Sequence, residues 1–293
     1  MIPAFVNVRA GTMEQARGAL EQGGTFDVRL TEPSQLKQAI EAAIDTLPPT
    51  ERRVAVAGGD GTVGTAASVI LEHGDDVVLA VIPGGTLNHF AKDHGIPTKL
   101  DEAVALASSG TVGTADVAYA GERLFLNTSA VGSYVTYVRL RDRLERFMGY
   151  RIASIVAAIR LYFHVHPIDV TLDVNGESRT YSTPLVFIGV GERELKAPVL
   201  GSRIAGGKHA LHVLVVRERR AARLISVALA AMTRGLESVA RTPEIDSFLV
   251  DQCSITVRTS RRVPHIAVDG EIVEMQEPIE YRLARGALRI VVP

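Results

Sequence analysis

The chain has 293 residues, 46% of them hydrophobic, which is enough for one large domain or two ordinary ones. Its formal net charge of −1 argues against a dedicated nucleic-acid-binding protein, because such a protein carries a basic excess. A single cysteine, Cys253, excludes an intrachain disulfide, and no apolar run approaches the roughly 20 residues that a membrane-spanning helix requires. Since Met1–Arg9 also lacks the features of a signal peptide, we expect a cytoplasmic chain without a transmembrane segment.

Strand and helix patterns alternate over residues 5–107. The first strand, Ala4–Val8, leads into a loop that contains Asn7 and Gly11, and the second strand covers Phe26–Leu30. Regular alternation of this kind predicts a doubly wound parallel sheet with helices on both faces.

The most informative stretch is Val54–Thr62, which reads Val-Ala-Val-Ala-Gly-Gly-Asp-Gly-Thr and is followed at once by a helical pattern over Val63–Glu72. Glycines allow a ligand to approach the backbone closely, and a helix N-terminus offers unpaired N–H donors with a partial positive charge. Taken alone, Gly58–Thr62 is either a phosphate-binding loop or a plain strand-to-helix turn.

A second unit repeats this arrangement. The strand pattern Val77–Ile82 ends in Pro83-Gly84-Gly85-Thr86, and a helical pattern follows through Leu87–Ala91. Two consecutive strand–glycine–helix units place both glycine turns at the same edge of a parallel sheet, where such sheets bind their ligands. The pair therefore favours the phosphate-binding interpretation.

The pattern changes after Asp116. Turn signals, of which Asn175-Gly176 is the strongest hairpin mark, separate strand-like runs, and two helical segments interrupt them at Tyr134–Phe163, with a break at Gly149, and at Arg220–Ser238. We expect a mostly antiparallel, β-sandwich-like second domain. The predicted strands are Asp116–Tyr119, Leu124–Ala130, Asp169–Val174, Arg179–Gly189, His209–Val216, Ser254–Arg258, His265–Val268, Glu280–Leu283 and Leu288–Val292.

The two glycine motifs, Gly-Gly-Asp-Gly-Thr and Pro-Gly-Gly-Thr-Leu-Asn-His-Phe-Ala, resemble those of the diacylglycerol kinase catalytic-domain family, which includes sphingosine kinases and bacterial lipid kinases. The resemblance runs over residues 5–293 and implies a nucleotide-binding domain over 1–115 and a lipid-substrate domain over 116–293. It implies an ATP-dependent lipid kinase that transfers the γ-phosphoryl group to diacylglycerol or a similar lipid alcohol, in phospholipid metabolism.

The resemblance also assigns site residues. Asp269, in the run Asp269-Gly270-Glu271, would be the base for the lipid hydroxyl, with Glu271 beside it, although the same run reads locally as a hairpin turn. Asp60 would face the metal or the transferring phosphate, and its alternative role is a helix N-cap. The residues assigned to nucleotide binding are Asn7, Gly11, Gly58, Gly59, Asp60, Gly61, Thr62, Gly84, Gly85, Thr86 and Asn88.

Three positions depart from the family pattern. Val8 replaces a proline in the first loop, His89 stands where an aspartate is usual, and Lys208–His212 lacks the acids expected there. Histidine is a poor ligand for Mg²⁺, so the family's metal network cannot be transferred whole. Either Mg²⁺ arrives only with ATP, or the chain has lost activity. A transition-metal site at His209 and His212 is disfavoured, because residues three apart in a strand face opposite ways.

The remaining segments leave alternatives open. If their segment is extended, His164 and His166 share a strand face, where a partly buried structural pair is favoured over a metal site. The arginines of Tyr134–Phe163 and of Arg220–Ser238 indicate either a solvated helix face, which we favour, or a face that lies on anionic lipid. A homodimer is compatible with the sequence.

The expected partner is a lipid substrate met at the membrane surface, with the enzyme peripheral to the membrane during turnover. Two rival functions remain. One is an NAD kinase, which shares Gly-Gly-Asp-Gly, and the other is a nucleotide- or lipid-binding homologue without catalysis.

Overall fold

The structure is a computed structural model that describes residues 1–22, 24–48, 52–74, 76–163, 166–194, 202–217, 245–258 and 263–293. The chain forms two compact units, one of Met1–Val117 with Ala284–Pro293 and the other of Ala118–Leu283. The sequence-based division at 115/116 assigned the last ten residues to the second domain, whereas the structure returns them to the first unit.

The first unit is a parallel α/β sheet. Its strands lie in the order β2-β1-β3-β4, and every pair among them is parallel. Its elements are β1 (Ile2–Asn7), α1 (Met13–Gln22), β2 (Phe26–Thr31), α2 (Leu36–Ile44), β3 (Arg53–Gly58), α3 (Asp60–His73), β4 (Val78–Pro83), α4 (His89–Asp93), α5 (Leu100–Ser109) and β5 (Thr111–Ala120), the last of which ends in the second unit.

Helices cover this sheet on both faces. On one face, α1 and α5 pack on small and branched side chains of the strands, including Ala4, Val6 and Ile82, while α2 and α3 pack against each other. Because β3 and β4 are covered on both sides, they are apolar along their length, and all six residues of β4 are buried. The predicted doubly wound sheet is confirmed.

The C-terminal strand joins the first unit through its last residues. In β16 (Ile279–Val292), Ile290 pairs with Leu79 in parallel. The sequence predicted two separate strands here because residues 284–287 lack a strand pattern. Gly286 adopts φ +56° and donates its N–H to the buried Asp116 carboxylate at 3.0 Å, so the strand continues through an irregular position.

The second unit is an antiparallel sandwich. One sheet has the order β12-β11-β10-β7-β14-β15, and the other pairs the first residues of β16 with β13, β13 with β8, and β8 with β9. The elements are β6 (Arg123–Phe125), β7 (Thr128–Gly132), α6 (Ser133–Phe163), β8 (Ile168–Val174), β9 (Glu177–Thr183), β10 (Leu185–Val190), β11 (Leu211–Val216), β12 (Ile245–Val250), β13 (Gln252–Arg258), β14 (His265–Val268), β15 (Glu271–Glu274) and β16.

One apolar core fills the space between these two sheets. Side chains from both, such as Leu172 of β8, Ile188 of β10 and Ile255 of β13, are fully buried in it. The predicted mostly antiparallel second domain is confirmed, and so is the helix break, because Gly149 has φ +72° inside α6. The predicted helix Arg220–Ser238 and His164 lie outside the described residues. Within the described part of the chain, no helix is both long and apolar enough to cross a membrane.

Candidate active site

Three loops of the first unit meet at the carboxyl ends of β1, β3 and β4. The Asn7 amide donates to the Thr62 hydroxyl at 2.9 Å, which ties the first loop to the start of α3. The Gly84 N–H donates to the Gly58 carbonyl at 2.8 Å, and the Thr12 hydroxyl donates to the Gly84 carbonyl at 3.4 Å. Parallel strands end at one edge of their sheet, so the residues predicted from three separate loops form one cluster.

The glycines of this cluster fall into two groups. Four of them allow the loops to touch: a Cβ on Gly85 would lie 2.5 Å from the Gly59 Cα, and one on Gly58 would lie 2.4 Å from the Thr62 hydroxyl. By contrast, Gly61 is an exposed residue in the first turn of α3, and a Cβ there would have no other atom within 4 Å beyond its chain neighbours and its own helix backbone. Gly58, Gly59, Gly84 and Gly85 therefore serve packing between the loops, whereas the backbone at Gly61 and at Gly11 is open to a ligand.

Asn88 closes the second glycine turn. Its backbone adopts the left-handed region with φ +51°, and its side chain accepts the Gly85 N–H at 2.9 Å while donating to the Gly85 carbonyl at 2.8 Å. Asn88 thus shapes the loop, while Thr86 is exposed in the same turn.

Asp60 links the two glycine motifs. It is the first residue of α3, and its carboxylate accepts the backbone N–H groups of His89 at 3.2 Å and Phe90 at 3.0 Å. Asp60 therefore caps the start of α4. The N-cap alternative had instead supposed that it caps α3, the helix to which it belongs. This contact joins residues 29 and 30 positions apart, so local sequence patterns carry no signal for it.

Asp269 lies in the second unit, in the tight turn between β14 and β15. With φ +46° at Asp269 and φ +85° at Gly270, the turn matches the hairpin reading of this stretch. The Asp269 carboxylate accepts three backbone N–H groups, from Leu126 at 2.7 Å, Asn127 at 2.9 Å and Thr128 at 2.8 Å. These charge-assisted bonds fix the orientation of the carboxylate.

Neighbouring cations surround this turn. Glu271 is exposed and pairs with Arg123 at 2.7 Å. Arg141 of α6 donates to the Gly270 carbonyl at 3.0 Å and pairs with Asp142 at 2.6 Å. Burial lowers the pKa of Arg141, but Asp142 and the nearby tyrosines outweigh burial and raise it, so this arginine stays charged.

Sequence reasoning missed Arg141 and a second supporting arginine. Arg141 was grouped with the other arginines of its helix, because spacing alone does not show which of them reaches a distant turn. Arg193 is buried and donates to the carbonyl of Asn127 at 3.0 Å, so it supports the segment that holds Asp269.

The stretch Lys208–His212, which contains no acidic residue, ends in a histidine whose two ring nitrogens both have hydrogen-bond partners. In β11, the buried His212 accepts the Arg193 N–H at Nδ1 at 2.8 Å, and its Nε2 lies 2.8 Å from the Ser247 hydroxyl. Burial lowers the pKa of His212. His209 is exposed and precedes β11, which begins at Leu211, so the two histidines do not share a strand.

No metal centre of three or more His, Cys, Asp or Glu side chains occurs within the ranges that the structure describes.

The loop cluster lies in a region that matches a known family. Residues 4–120 match the model of the diacylglycerol kinase catalytic domain. This part of the chain is therefore similar to diacylglycerol kinase catalytic domains. The match confirms the resemblance carried by the two glycine motifs.

Curated relatives share a lipid-kinase name. The chain is 28% identical over 176 residues to the probable lipid kinase YegS of Escherichia coli O6:K15:H31 and to that of Shigella boydii serotype 18. Each match covers 58% of this chain and 57% of the relative, so the chain spans just over half the length of the relatives it matches.

Solved structures match the fold over the whole chain. A diacylglycerol kinase from Bacillus anthracis strain Sterne superposes with a TM-score of 0.71 at 18% identity, covering 100% of this chain and 96% of the other. Another crystal structure from the same strain gives a TM-score of 0.77 at 19% identity, covering 100% and 97%. At this identity the likeness concerns the fold alone.

Proposed function

We propose that this chain is an ATP-dependent lipid kinase that transfers the γ-phosphoryl group of ATP to a lipid hydroxyl, with diacylglycerol or a similar lipid alcohol as acceptor. The observation that carries the proposal is the joined cluster of three loops, with open backbone at Gly61, within the residues that match the diacylglycerol kinase catalytic-domain model. The curated relatives bear the name of a lipid kinase, which supports the same class of acceptor.

The loop cluster binds the phosphates of ATP in this proposal. Phosphoryl transfer depends on positioning and on stabilising charge, and backbone N–H groups at a helix start supply both. The loops concerned are Gly58–Thr62 and Gly84–Thr86, apart from the N–H groups of Thr62, Gly84 and Gly85, which already donate within the cluster. The Asn7–Thr62 hydrogen bond holds the loops in register. A magnesium ion bound to ATP would spread the phosphate charge.

Asp269 orients and deprotonates the acceptor hydroxyl. Three backbone N–H donors hold its carboxylate in one direction, which suits a group that must meet an attacking oxygen at hydrogen-bond distance. In a loose transition state the hydroxyl needs orientation more than early proton removal, so a fixed carboxylate serves the reaction. Glu271 assists from the adjacent position.

The acceptor and the place of reaction follow from this chemistry. A lipid alcohol resides in a membrane, so we propose that the protein works in the cytoplasm, meets its substrate at the membrane surface and contributes to phospholipid metabolism. A homodimer is compatible with this proposal but not required by it.

The test is an assay with labelled ATP and Mg²⁺ against a panel of lipid alcohols in mixed micelles, with NAD in a parallel reaction. We expect label in at least one lipid and none in NADP. If NADP were labelled and no lipid were, the chain would be an NAD kinase and the lipid-kinase proposal would be wrong.

A binding protein without catalysis is the second candidate. Asp60 and Asp269, the two aspartates with proposed catalytic roles, both accept backbone N–H groups. This observation favours the second candidate, because such hydrogen bonds give both carboxylates a structural role. It predicts ATP binding without label transfer to any lipid alcohol, and detectable transfer would exclude it.

A further inference from the structure

The second half of α6 exposes an apolar stripe. Ile152, Val156, Ile159 and Phe163 are 56%, 38%, 53% and 68% exposed. Their spacing of four, three and four residues puts all four side chains on one side of a helix with 3.6 residues per turn. The opposite side carries buried residues of the same segment, namely Ala153, Ala157, Ala158 and Leu161. A solvated face, which the sequence favoured, would instead expose polar side chains here.

The helix that carries this stripe is strongly basic. Between Ser133 and Phe163 there are six arginines and two acids, a net charge of +4 in a chain whose overall charge is −1. Both acids, Asp142 and Glu145, precede the break at Gly149, so the segment with the apolar stripe contains arginine but no acid.

A basic cavity lies beside the same helix. It has a volume of about 490 Å³, and its cationic or titratable lining residues are Arg139, Arg160, Arg258, His166 and His265. No acidic residue is among the described residues that line it, although His265 also lies 3.3 Å from Glu274. Arg160 belongs both to this cavity and to the helix turn that carries Phe163. The cavity therefore suits an anionic group next to an apolar surface.

We propose that the stripe and the cavity together bind a bilayer that contains anionic phospholipid. The four apolar side chains enter the boundary between headgroups and acyl chains, while Arg139, Arg160 and Arg258 bind a headgroup phosphate. A basic amphipathic helix with a narrow apolar stripe fits this role. The inference rests on the proposed function only in that it says how the enzyme meets a lipid acceptor.

A second copy of the chain fits this surface less well. A two-fold dimer brings the same patch against itself, so arginines would face arginines across the interface. An anionic bilayer satisfies both the apolar stripe and the positive charge, and for that reason we commit to it.

The first experiment measures co-sedimentation of the full chain with vesicles, without ATP or a lipid alcohol. Vesicles of phosphatidylcholine with phosphatidylglycerol should bind the protein, and binding should weaken as salt is raised. The double variant Ile159→Ser with Phe163→Ser should bind at least tenfold less, because both side chains lose their apolar insertion. The control, Leu30→Ser with Val112→Ser, alters two exposed apolar residues of the first unit and should bind like the wild type.

The second experiment tests the arginines. Replacing Arg139 and Arg258 by Gln should lower binding to anionic vesicles about 25-fold, from roughly fivefold for each charge, and leave any binding to pure phosphatidylcholine unchanged. The control, Arg9→Gln with Lys99→Gln, removes two exposed charges of the first unit and should change little.

Three results would overturn the inference. One is equal binding of wild type and both double variants to anionic vesicles. Another is full release of the protein by millimolar inorganic phosphate at constant ionic strength, which would indicate a free-anion site. The third is a serine variant that turns a dimer into a monomer in light scattering and still binds vesicles. Because no turnover is measured, failure here is distinct from failure of the kinase assay.

Discussion

At the scale of single residues, the loop cluster separates glycines that pack from glycines that leave space. Gly85 and Gly58 are close to neighbouring atoms, so a methyl group there must move the loops. Gly61 and Gly64 are both in α3 with no protein atom within 4 Å of an added Cβ, and they differ in that Gly61 is at the start of the helix. Substituting each of these two glycines therefore distinguishes an effect on ligand binding from an effect on protein stability.

The matched substitutions Gly61→Ala and Gly64→Ala test the phosphate-binding role. Both should raise the free energy of unfolding by about 0.5–1 kcal/mol, because alanine favours the helix. Only Gly61→Ala should weaken ATP binding, by at least tenfold in titration calorimetry, since its methyl group would meet the phosphates. Equal ATP affinities in the two variants would remove Gly61 from the site.

Sequence predicts the positions of the site residues but not their partners. Asn7, Gly58 and Gly84 were found because each stands at the carboxyl end of a strand of a parallel sheet, and such strand ends lie at one edge. The Asp60–Phe90 and Asp269–Asn127 contacts depend on how distant segments are aligned, and residue type alone does not determine that alignment. The proposed catalytic roles of these acids stay predictions.

At the scale of elements, α4 depends on Asp60. A helix of five residues is unstable alone, and the N–H groups of His89 and Phe90 at its start are bonded to the Asp60 carboxylate. Asp60→Ala should lower the free energy of unfolding by about 1–3 kcal/mol and reduce hydrogen-exchange protection in α4, because two donors lose their acceptor. The control is Thr65→Ala in α3, the helix that Asp60 begins. It removes only an exposed hydrogen bond to the Gly61 carbonyl and should change the free energy of unfolding by under about 0.5 kcal/mol. Unchanged protection of α4 in Asp60→Ala would contradict this account.

The strand β11 makes stability depend on pH through His212. Because burial lowers its pKa in the folded protein, the unfolded chain binds more protons as pH falls below about 6.5. Stability should therefore be complete above that pH and fall below it. His212→Gln keeps an acceptor for the Arg193 N–H and a donor for Ser247, so it should lose less stability between pH 7.5 and 5.5 in urea unfolding. Parallel losses in both proteins would exclude this histidine as the cause.

Strand prediction was better in the first unit than in the second. β1, β3 and β4 are buried along most of their length and carry apolar runs, whereas the edge strand β2 is partly exposed. The predicted bounds of all four strands agree with the structure within about two residues. In the second unit, β12 and β15 were missed, because Ile245–Val250 and Glu271–Glu274 contain several polar or half-exposed residues. β12 is placed by pairing with β11, which is distant in the sequence, and β15 is placed by pairing with β14, which has only four residues.

At the scale of the whole molecule, the first unit is completed by the end of the chain. Leu288, Ile290 and Val291 of β16 are at most 1% exposed, and Ile290 pairs beside β4. A boundary drawn along the sequence cannot show this, because the strand begins in one unit and ends in the other.

The substitution Ile290→Ala tests this return of the chain. It should lower the free energy of unfolding by about 2–5 kcal/mol, from lost apolar burial and the cavity left behind. Val112→Ala, at a residue that is 46% exposed, should change it by under about 0.5 kcal/mol. Urea unfolding followed by circular dichroism gives both values, and a small effect of Ile290→Ala would place residues 284–293 outside the folded core.

We propose above all that this protein transfers the γ-phosphoryl group of ATP to a lipid hydroxyl and that Asp269 assists the transfer. The most direct measurement compares the wild type with Asp269→Asn in the labelled-ATP assay, using diacylglycerol micelles and Mg²⁺. Asparagine tolerates the positive φ of this turn and keeps one acceptor oxygen for Asn127 and Thr128, but its NH2 group replaces the oxygen that accepts the Leu126 N–H. Circular dichroism and an ATP titration of the variant therefore accompany the assay, so that a loss of transfer is read only from folded, ATP-binding protein. We predict transfer by the wild type and a loss of at least about a hundredfold in the variant, the lower end of the range for a positioned acid or base. Equal transfer by the two proteins would contradict the account.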